Sequence, residues 1–317
     1  MRRGHVTALA LAIAGWVQAA DKPLDSELPI AHVQGNVYAL FGAGGNVTIQ
    51  KGDDGILLVN TGSASDADRT LAAIRKQFDG PIRYIINTDA STDQIGGNEK
   101  IGLAGSTISG GNAAGDIASL GIGATIIAHL NVLNRMSAPT GKKSAYPEKA
   151  WPSDPYEGNE KKMFFDGEAI EIEHIPAAHS DGDSIVFFRR SDVISTGDLF
   201  RSNGYPVIDL AAGGNIQGVI AALNRLIDIT VPAAKQEGGT YVIPGHGRIC
   251  DQADVVEYRD MITIIRDRVQ DMVSKGKTLD EVKASKPTLD YDPVFGTDKG
   301  EWTTDRFIEA VYRSFKK

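Results

Sequence analysis

The chain has 317 residues, of which 42% are hydrophobic, and a formal net charge of -8. This length suffices for one large domain or two small ones with a sizeable core. The negative charge argues against nucleic acid or an anionic membrane surface as a partner, since both are bound through basic patches. The single cysteine, Cys250, excludes an intramolecular disulfide. Although it follows His246 by four residues, we expect it to be a buried small hydrophobe rather than a metal ligand.

The amino terminus is typical of a secretory signal. Two arginines after Met1 precede a short apolar run over residues 6–17, and small residues reach Ala19. This run is shorter than the roughly 20 apolar residues of a membrane-spanning helix. We therefore predict a signal peptide over residues 1–19, export to the periplasm or the exterior, and one mature domain over residues 20–317.

In chain order, the mature part alternates apolar runs with turn-forming segments. The predicted strands are 36–41, 46–51, 56–59, 84–86, 124–128, 163–165, 169–175, 184–188, 192–195 and 241–243. The predicted helices are 66–78, 129–136, 213–228, 251–275 and 301–315. Two runs of strands, each followed by helices, predict an α+β protein with a four-layer αββα sandwich.

Three features of this pattern each allow two interpretations. Residues 102–123 are rich in Gly, Ala and Ser, which is typical of a flexible flap or of a loosely packed insertion. His129 stands at the start of a helix, where we expect it to cap or pack rather than to bind metal. Trp151 and Tyr156 either line the mouth of a substrate site or anchor a long loop.

Four apolar strands run into loops that carry His or Asp beside Gly or Pro. Asp89 and Asp93 follow the strand that ends at residue 86, and the other loops carry His179, Asp198 and His246. Side chains gathered from separate strand ends meet in one cleft in many binding sites. For each residue taken singly, a capping or turn role is the ordinary alternative.

These loops resemble the metallo-β-lactamase superfamily over nearly the whole mature chain. The matching segments are Gly42-Ala-Gly-Gly-Asn46, Asp53-Asp-Gly-Ile-Leu-Leu-Val-Asn60, Ala178-His179-Ser-Asp-Gly-Asp183, Thr196-Gly-Asp198 and Pro244-Gly-His246-Gly. The resemblance implies the αββα fold and a two-zinc hydrolase site. It breaks at the family signature Thr-His-x-His-x-Asp-His, which here reads Thr88-Asp89-Ala90-Ser91-Thr92-Asp93-Gln94. Only the Asp is retained.

The resemblance also assigns the remaining ligands. The first metal site would retain only His179, because Asp89 and Ser91 replace its two other histidines. The second would retain Asp93 and His246, with Asp198 in the bridging position and Gln94 in place of a histidine. Asn60 replaces an Asp that supports the ligand loop in the family.

We therefore expect one metal ion, held by Asp93, Asp198 and His246, with His179 or Asp89 nearby. Zinc is the metal of the family, but an oxygen-rich ligand set shifts the preference towards manganese, magnesium or calcium. The carboxylates also weaken the Lewis acidity of such an ion, because they cancel its charge.

Two functions follow from this reduced site. The first is a metal-dependent hydrolase of an ester, lactam or similar small substrate, in which Asp93 or Asp89 handles the proton. The alternative is a non-catalytic descendant that binds a small molecule or a partner protein in the old cleft. Metal content after purification separates the two hypotheses.

If the signal assignment is right, mature protein recovered from the periplasm begins at or near Ala20. Intact-mass spectrometry measures this directly, and a full-length amino terminus in exported protein would refute the assignment.

Overall fold

A computed structural model of the protein describes residues 27–107, 123–141 and 143–316. The predicted signal peptide over residues 1–19 lies outside these ranges, as does most of the Gly-rich segment 102–123. Among the described residues, no helix combines the length and apolarity needed to cross a membrane.

Strands from two halves of the chain build two main sheets. Over the described residues, the strands are β1 (Ile30–Gln34), β2 (Val37–Ala43), β3 (Gly45–Lys51), β4 (Ile56–Val59), β5 (Ile82–Ile86), β6 (Thr125–His129), β7 (Pro139–Thr140), β8 (Lys143–Ser144), β9 (Asp154–Tyr156), β10 (Glu160–Phe165), β11 (Glu168–His174), β12 (Ser184–Phe188), β13 (Val193–Ser195) and β14 (Tyr241–Ile243). The first sheet has the order β1-β2-β3-β4-β5-β6-β9, and the second has the order β10-β11-β12-β13-β14. β7 and β8 form a separate short hairpin.

Both sheets are mixed, and their parallel pairs matter for the site. β4, β5, β6 and β9 pair in parallel, as do β13 and β14. The carboxyl ends of parallel neighbours meet at the same edge of a sheet. The residues that follow β4 and β5, and those that follow β13 and β14, are therefore brought side by side.

Helices follow the strands of each half. Over the described residues, the α-helices are α1 (Ala67–Gln77), α2 (Thr92–Ile95), α3 (Asn98–Leu103), α4 (Leu130–Ser137), α5 (Ile216–Ile229), α6 (Gln252–Ser274), α7 (Leu279–Ala284), α8 (Asp292–Phe295) and α9 (Thr304–Arg313). The longest, α6, begins with a capping box in which the side chains of Asp251 and Asp254 each accept a backbone N–H from the other residue.

Three layers of apolar contacts stack these elements. One lies between the sheets and includes Val59, Ile86 and Phe188. A second packs α1 on the outer face of the first sheet, and a third packs α5, α6 and α9 on the outer face of the second. The expected αββα sandwich is confirmed.

The long predicted elements agree with the structure to within a few residues at each end. The sequence reading missed β1, β9 and the short helices α2, α3, α7 and α8. Helices of four to six residues are too short to show a helical repeat of apolar positions. The expected loop over residues 139–154 also contains the β7–β8 hairpin.

The third apolar layer offers a test of the packing. Leu223 on α5 is fully buried against the second sheet and α6. We expect Leu223→Ala to lower the free energy of unfolding by about 3 kcal/mol, because it leaves a cavity that the packed layer cannot fill. Leu289→Ala is the control, since this leucine is 57% exposed, and urea denaturation of both variants should separate them clearly. Equal losses would contradict the assigned packing.

Candidate metal centre

Five side chains from separate segments meet beside the two sheets. Asp89 follows β5, and Asp93 lies in α2. Asp198 lies in a 3-10 helix (Gly197–Leu199) directly after β13, and His246 follows β14, its parallel partner. His179 lies in the loop that joins β11 to β12. The structure brings these five residues together in two groups that share Asp198.

The first group, called here the His246 cluster, consists of Asp93, Asp198 and His246, whose ligand atoms all lie within 4.8 Å of one another. His246 Nε2 lies 3.0 Å from Asp93 Oδ2 and 3.2 Å from Asp198 Oδ1. The Nε2 proton of the imidazole therefore lies between two carboxylates, and these three side chains are ones that could hold a metal ion. The Asp93 side chain is 38% exposed, so this cluster is open on one side.

Electrostatics in the His246 cluster favour a positive charge. Burial by itself lowers the pKa of His246, but the hydrogen bonds to Asp198 and Asp93 outweigh it and raise the pKa to about 9. Burial likewise raises the pKa of Asp198, yet the His246 hydrogen bond and the charges of His179, His246 and Arg201 hold it well below the usual value. At neutral pH the cluster therefore holds the protonated imidazole of His246 beside the ionised carboxylate of Asp198.

The second group, called the His179 cluster, consists of Asp89, His179 and Asp198. His179 Nδ1 donates to Val207 O over 2.9 Å, and its Nε2 lies 3.0 Å from Ser91 Oγ. A carbonyl can only accept, so Nδ1 carries a proton. Both ring nitrogens of His179 are thus already engaged by protein atoms.

Both carboxylate oxygens of Asp89 accept hydrogen bonds from neighbouring residues of its own loop. Its Oδ1 accepts from Ser91 N at 2.7 Å and its Oδ2 from Thr88 Oγ1 at 2.9 Å. Burial, and then the nearby charge of Asp198, raise the pKa of Asp89. A carboxyl that is fully buried and bonded on both oxygens is a poor ligand for a new cation.

Asp183 is a buried acid that our reading of the sequence did not single out. It accepts from Ser180 N and, at 2.6 Å, from Ser180 Oγ. Burial raises the pKa of Asp183 to about 7, although the charge of His179 opposes this. In turn, burial lowers the pKa of His179, but Asp183, Asp198 and Asp89 outweigh it and raise the pKa to about 9. Its position four residues after His179 was the available signal.

Gln94 replaces the last histidine of the family signature, and it faces Asp198. Its Nε2 donates to Asp198 Oδ1 at 2.7 Å, and its Oε1 accepts from Asn60 Nδ2 at 2.8 Å. Residues 60 and 94 are therefore in direct contact, with an amide at each end.

A cavity of about 480 Å³ opens beside the His179 cluster. Ser91 and His179 line it, together with the apolar side chains of Val207, Leu210 and Trp302. Arg306 and Arg313 of α9 reach it from the last helix of the chain. Sequence reasoning missed these α9 residues, because nothing in their pattern links them to the signature loop.

Trp151 and Tyr156, for which a place at the mouth of a substrate site was one of two alternatives, lie away from the cavity beside His179. Tyr156 is buried and its hydroxyl pairs with Ser184 Oγ at 2.7 Å, while Trp151 Nε1 donates to Tyr146 O at 3.0 Å. Neither lines the cavity beside His179. The alternative reading, in which they anchor the loop, is therefore the right one.

His129 and Cys250 have structural roles, as expected. His129 caps α4, accepting from Asn131 N at 3.3 Å through Nδ1, and its ring stacks on His174. Cys250 is buried, with Sγ 3.3 Å from Arg248 O. Among the described residues, neither belongs to a group that could hold a metal ion.

Comparisons with known proteins agree with this architecture. The sequence model of the Metallo-beta-lactamase superfamily matches residues 40–247. A comparison with curated protein sequences finds no significant match. The inverting sec-alkylsulfatase Pisa1 from Pseudomonas sp. is similar, with a TM-score of 0.61 and 16% identity over 91% of this chain and 50% of the sulfatase. This chain thus spans about half the length of that enzyme.

Two solved β-lactamases are similar over most of their own length. The metallo-beta-lactamase from Pontibacter korlensis has a TM-score of 0.53 and 15% identity, over 74% of this chain and 99% of that one. DIM-1 metallo-beta-lactamase has a TM-score of 0.52 and 18% identity, over 75% and 98%. At such identities the likeness shows the fold alone.

The structural role of Cys250 predicts an inert thiol. Burial raises the pKa of Cys250 to about 12, so almost no thiolate exists at pH 8. We expect less than about a tenth of the thiol to react with a disulfide reagent in the native protein, and complete reaction after unfolding in guanidinium. Rapid labelling of native protein, measured by absorbance, would contradict the buried assignment.

Proposed function

Because the chain belongs to the metallo-β-lactamase superfamily, we propose that it is a divalent-metal-dependent hydrolase with a single-metal site. The observation that carries the proposal is the His246 cluster, in which one imidazole and two carboxylates present ligand atoms within 4.8 Å of one another. Three protein ligands with an open side are the arrangement of a catalytic metal site. The partly exposed Asp93 marks that open side.

The donor set fits one divalent cation. Two carboxylates and a neutral imidazole offset the charge of such an ion, and their mainly oxygen character suits manganese or magnesium as well as zinc. Gln94 adds no ligand, because its Oε1 is already bonded to Asn60. The His179 cluster fits a second ion poorly, since Asp89 and His179 are bonded to their own surroundings.

A bound cation supplies the Lewis acid that polarises the group to be cleaved. The protein supplies the proton acceptor, and Asp93 is better placed for this role than Asp89. Its side chain reaches solvent, whereas Asp89 is 1% exposed. Asp89 instead fixes the loop, because it holds the backbone N–H of Ser91.

The cavity beside His179 is the proposed substrate site. Its volume of about 480 Å³ suits a small molecule, and Val207, Leu210 and Trp302 offer an apolar wall for a short hydrocarbon group. We propose an ester, lactam or similar small substrate, hydrolysed outside the cytoplasm after export. Nucleic acid is not proposed as a partner, because the chain carries a formal net charge of -8.

One observation favours the alternative, a non-catalytic binding protein. Within the His179 cluster, Asp89 and both ring nitrogens of His179 find hydrogen-bonding partners in the protein itself. A site that satisfies its polar groups in this way gains less from a cation. In that case the cavity would bind a small molecule without cleaving it.

The test is the response of chelator-stripped protein to zinc, manganese, magnesium and calcium. We expect at least one of them to raise the melting temperature, because a ligand at one hundred times its dissociation constant stabilises the folded state by about 2.7 kcal/mol. Asp93→Asn should weaken the affinity at least about tenfold, since it removes a charged ligand. Thermal unfolding measures the melting temperature, and calorimetric titration measures the affinity.

Asp228→Asn is the matched control, because this aspartate is exposed on α5 and belongs to neither cluster. A third variant replaces Asp89, Ser91 and Gln94 together with His. If no metal shifts the native protein while the triple variant responds clearly, the natural site has lost its metal and the binding-protein reading replaces the hydrolase.

A further inference from the structure

The orientation of the buried Asn60 amide is fixed by a backbone group. Thr88 N donates to Asn60 Oδ1 at 3.0 Å, and a backbone N–H can only donate. Oδ1 must therefore face Thr88 N, which leaves the two N–H groups of Asn60 Nδ2 directed elsewhere. Because Asn60 is 1% exposed, these donors need protein partners.

The first N–H begins a chain that ends on Asp198. Asn60 Nδ2 donates to Gln94 Oε1 at 2.8 Å, so the oxygen of that amide faces away from the cluster. Gln94 Nε2 then donates to Asp198 Oδ1 at 2.7 Å. The direction of each bond follows from the one before it, back to the backbone N–H of Thr88.

The second N–H begins a chain that ends on Asp89. Asn60 Nδ2 also lies 2.9 Å from Thr88 Oγ1 and donates to it. The one hydroxyl proton of Thr88 has two acceptors in reach, Asp89 Oδ2 at 2.9 Å and Asn60 Oδ1 at 3.2 Å. Because Asn60 Oδ1 already accepts from Thr88 N and the contact to Asp89 is shorter, the hydroxyl donates to Asp89 Oδ2. One amide thus supplies both hydrogen-bond chains, and each chain ends on a carboxylate of a candidate metal cluster.

We propose that Asn60 is a positioning residue that decides which atoms the clusters present to a cation. It turns Gln94 so that an N–H, and not an oxygen, faces Asp198, and this excludes Gln94 from the ligand set. It also directs the Thr88 hydroxyl to Asp89. The part of this inference that concerns metal binding rests on the proposed function, whereas the part that concerns the apo protein does not.

Asn60→Asp should reverse both chains. A carboxylate at this position accepts from Thr88 N as before but has no N–H to donate, so Gln94 must turn its own Nε2 towards it. Gln94 Oε1 then faces Asp198 and becomes available as a fourth ligand. Without a cation, that oxygen opposes a carboxylate, and Asp89 loses the Thr88 hydroxyl.

The experiment compares Asn60→Asp with Asn87→Asp. Asn87 is equally buried and pairs with Asn98, but it makes no hydrogen bond to Gln94 or Asp198. Both variants bury a new carboxylate, and only the first reverses the chains. We expect the chelator-stripped Asn60→Asp protein to melt about 5 °C below Asn87→Asp. We also expect it to bind manganese about tenfold more tightly than the native protein.

A double variant separates the turned amide from the added charge. Adding Gln94→Met to Asn60→Asp removes the oxygen but retains the new carboxylate, so the gain in manganese affinity should disappear. If Asn60→Asp does not fold, Gln94→Glu serves instead, because it presents an oxygen to Asp198 while Asn60 is unchanged. It should lower the apo melting temperature and tighten manganese binding.

The outcomes distinguish this inference from the proposed function. Equal apo melting temperatures for Asn60→Asp and Asn87→Asp, or a gain in affinity that survives Gln94→Met, would overturn the positioning role. If the native protein binds no metal but Asn60→Asp or Gln94→Glu does, the positioning role stands and the single-metal hydrolase proposal fails.

Discussion

The site depends on one electrostatic constraint, which is that three carboxylates converge and two of them lie where little water can reach. Asp89 and Asp198 are buried, and Asp93 completes the group from the open side. Like charges at such distances repel, so positive charge must lie among them or protons must be taken up. The raised pKa values of His179 and His246, both about 9, show how the apo protein meets this need. A divalent cation in the same place would displace a proton that the fold already holds there.

The two clusters differ in how their carboxylates and imidazoles are hydrogen-bonded, and this difference favours one metal ion over two. In the His179 cluster, backbone and hydroxyl groups of the same loop engage Asp89, and a carbonyl holds one nitrogen of His179. In the His246 cluster, Nε2 of the imidazole faces the carboxylates of Asp93 and Asp198. A cation has less to displace there, and it meets an open side.

The sequence predicted the layers and the convergence of the ligand loops, because both follow from short-range patterns. The apolar strands β13 and β14 run into Thr196-Gly-Asp198 and Pro244-Gly-His246, and their parallel pairing brings these ends together. The sequence did not reveal the direction of the Asn60 and Gln94 amides, which lie 34 residues apart and meet only through their side chains. Nor did it reveal that Trp302 and Arg306 line the cavity, since the docking of α9 is a matter of tertiary packing.

The replacements at residues 60 and 94 are better understood as one connected change than as two separate losses. By the resemblance, residue 94 corresponds to a histidine and residue 60 to an aspartate in the family. Here both positions are amides, and the donor now comes from residue 60. An aspartate at residue 60 beside Gln94 would have no N–H to donate, so Gln94 would turn its N–H towards it and leave an oxygen facing the carboxylate of Asp198. The side chain at residue 60 therefore limits which side chain residue 94 can carry, and the reverse also holds. With amides at both positions, Gln94 donates an N–H to Asp198, and the oxygen of Gln94 is held by Asn60 instead of facing the His246 cluster.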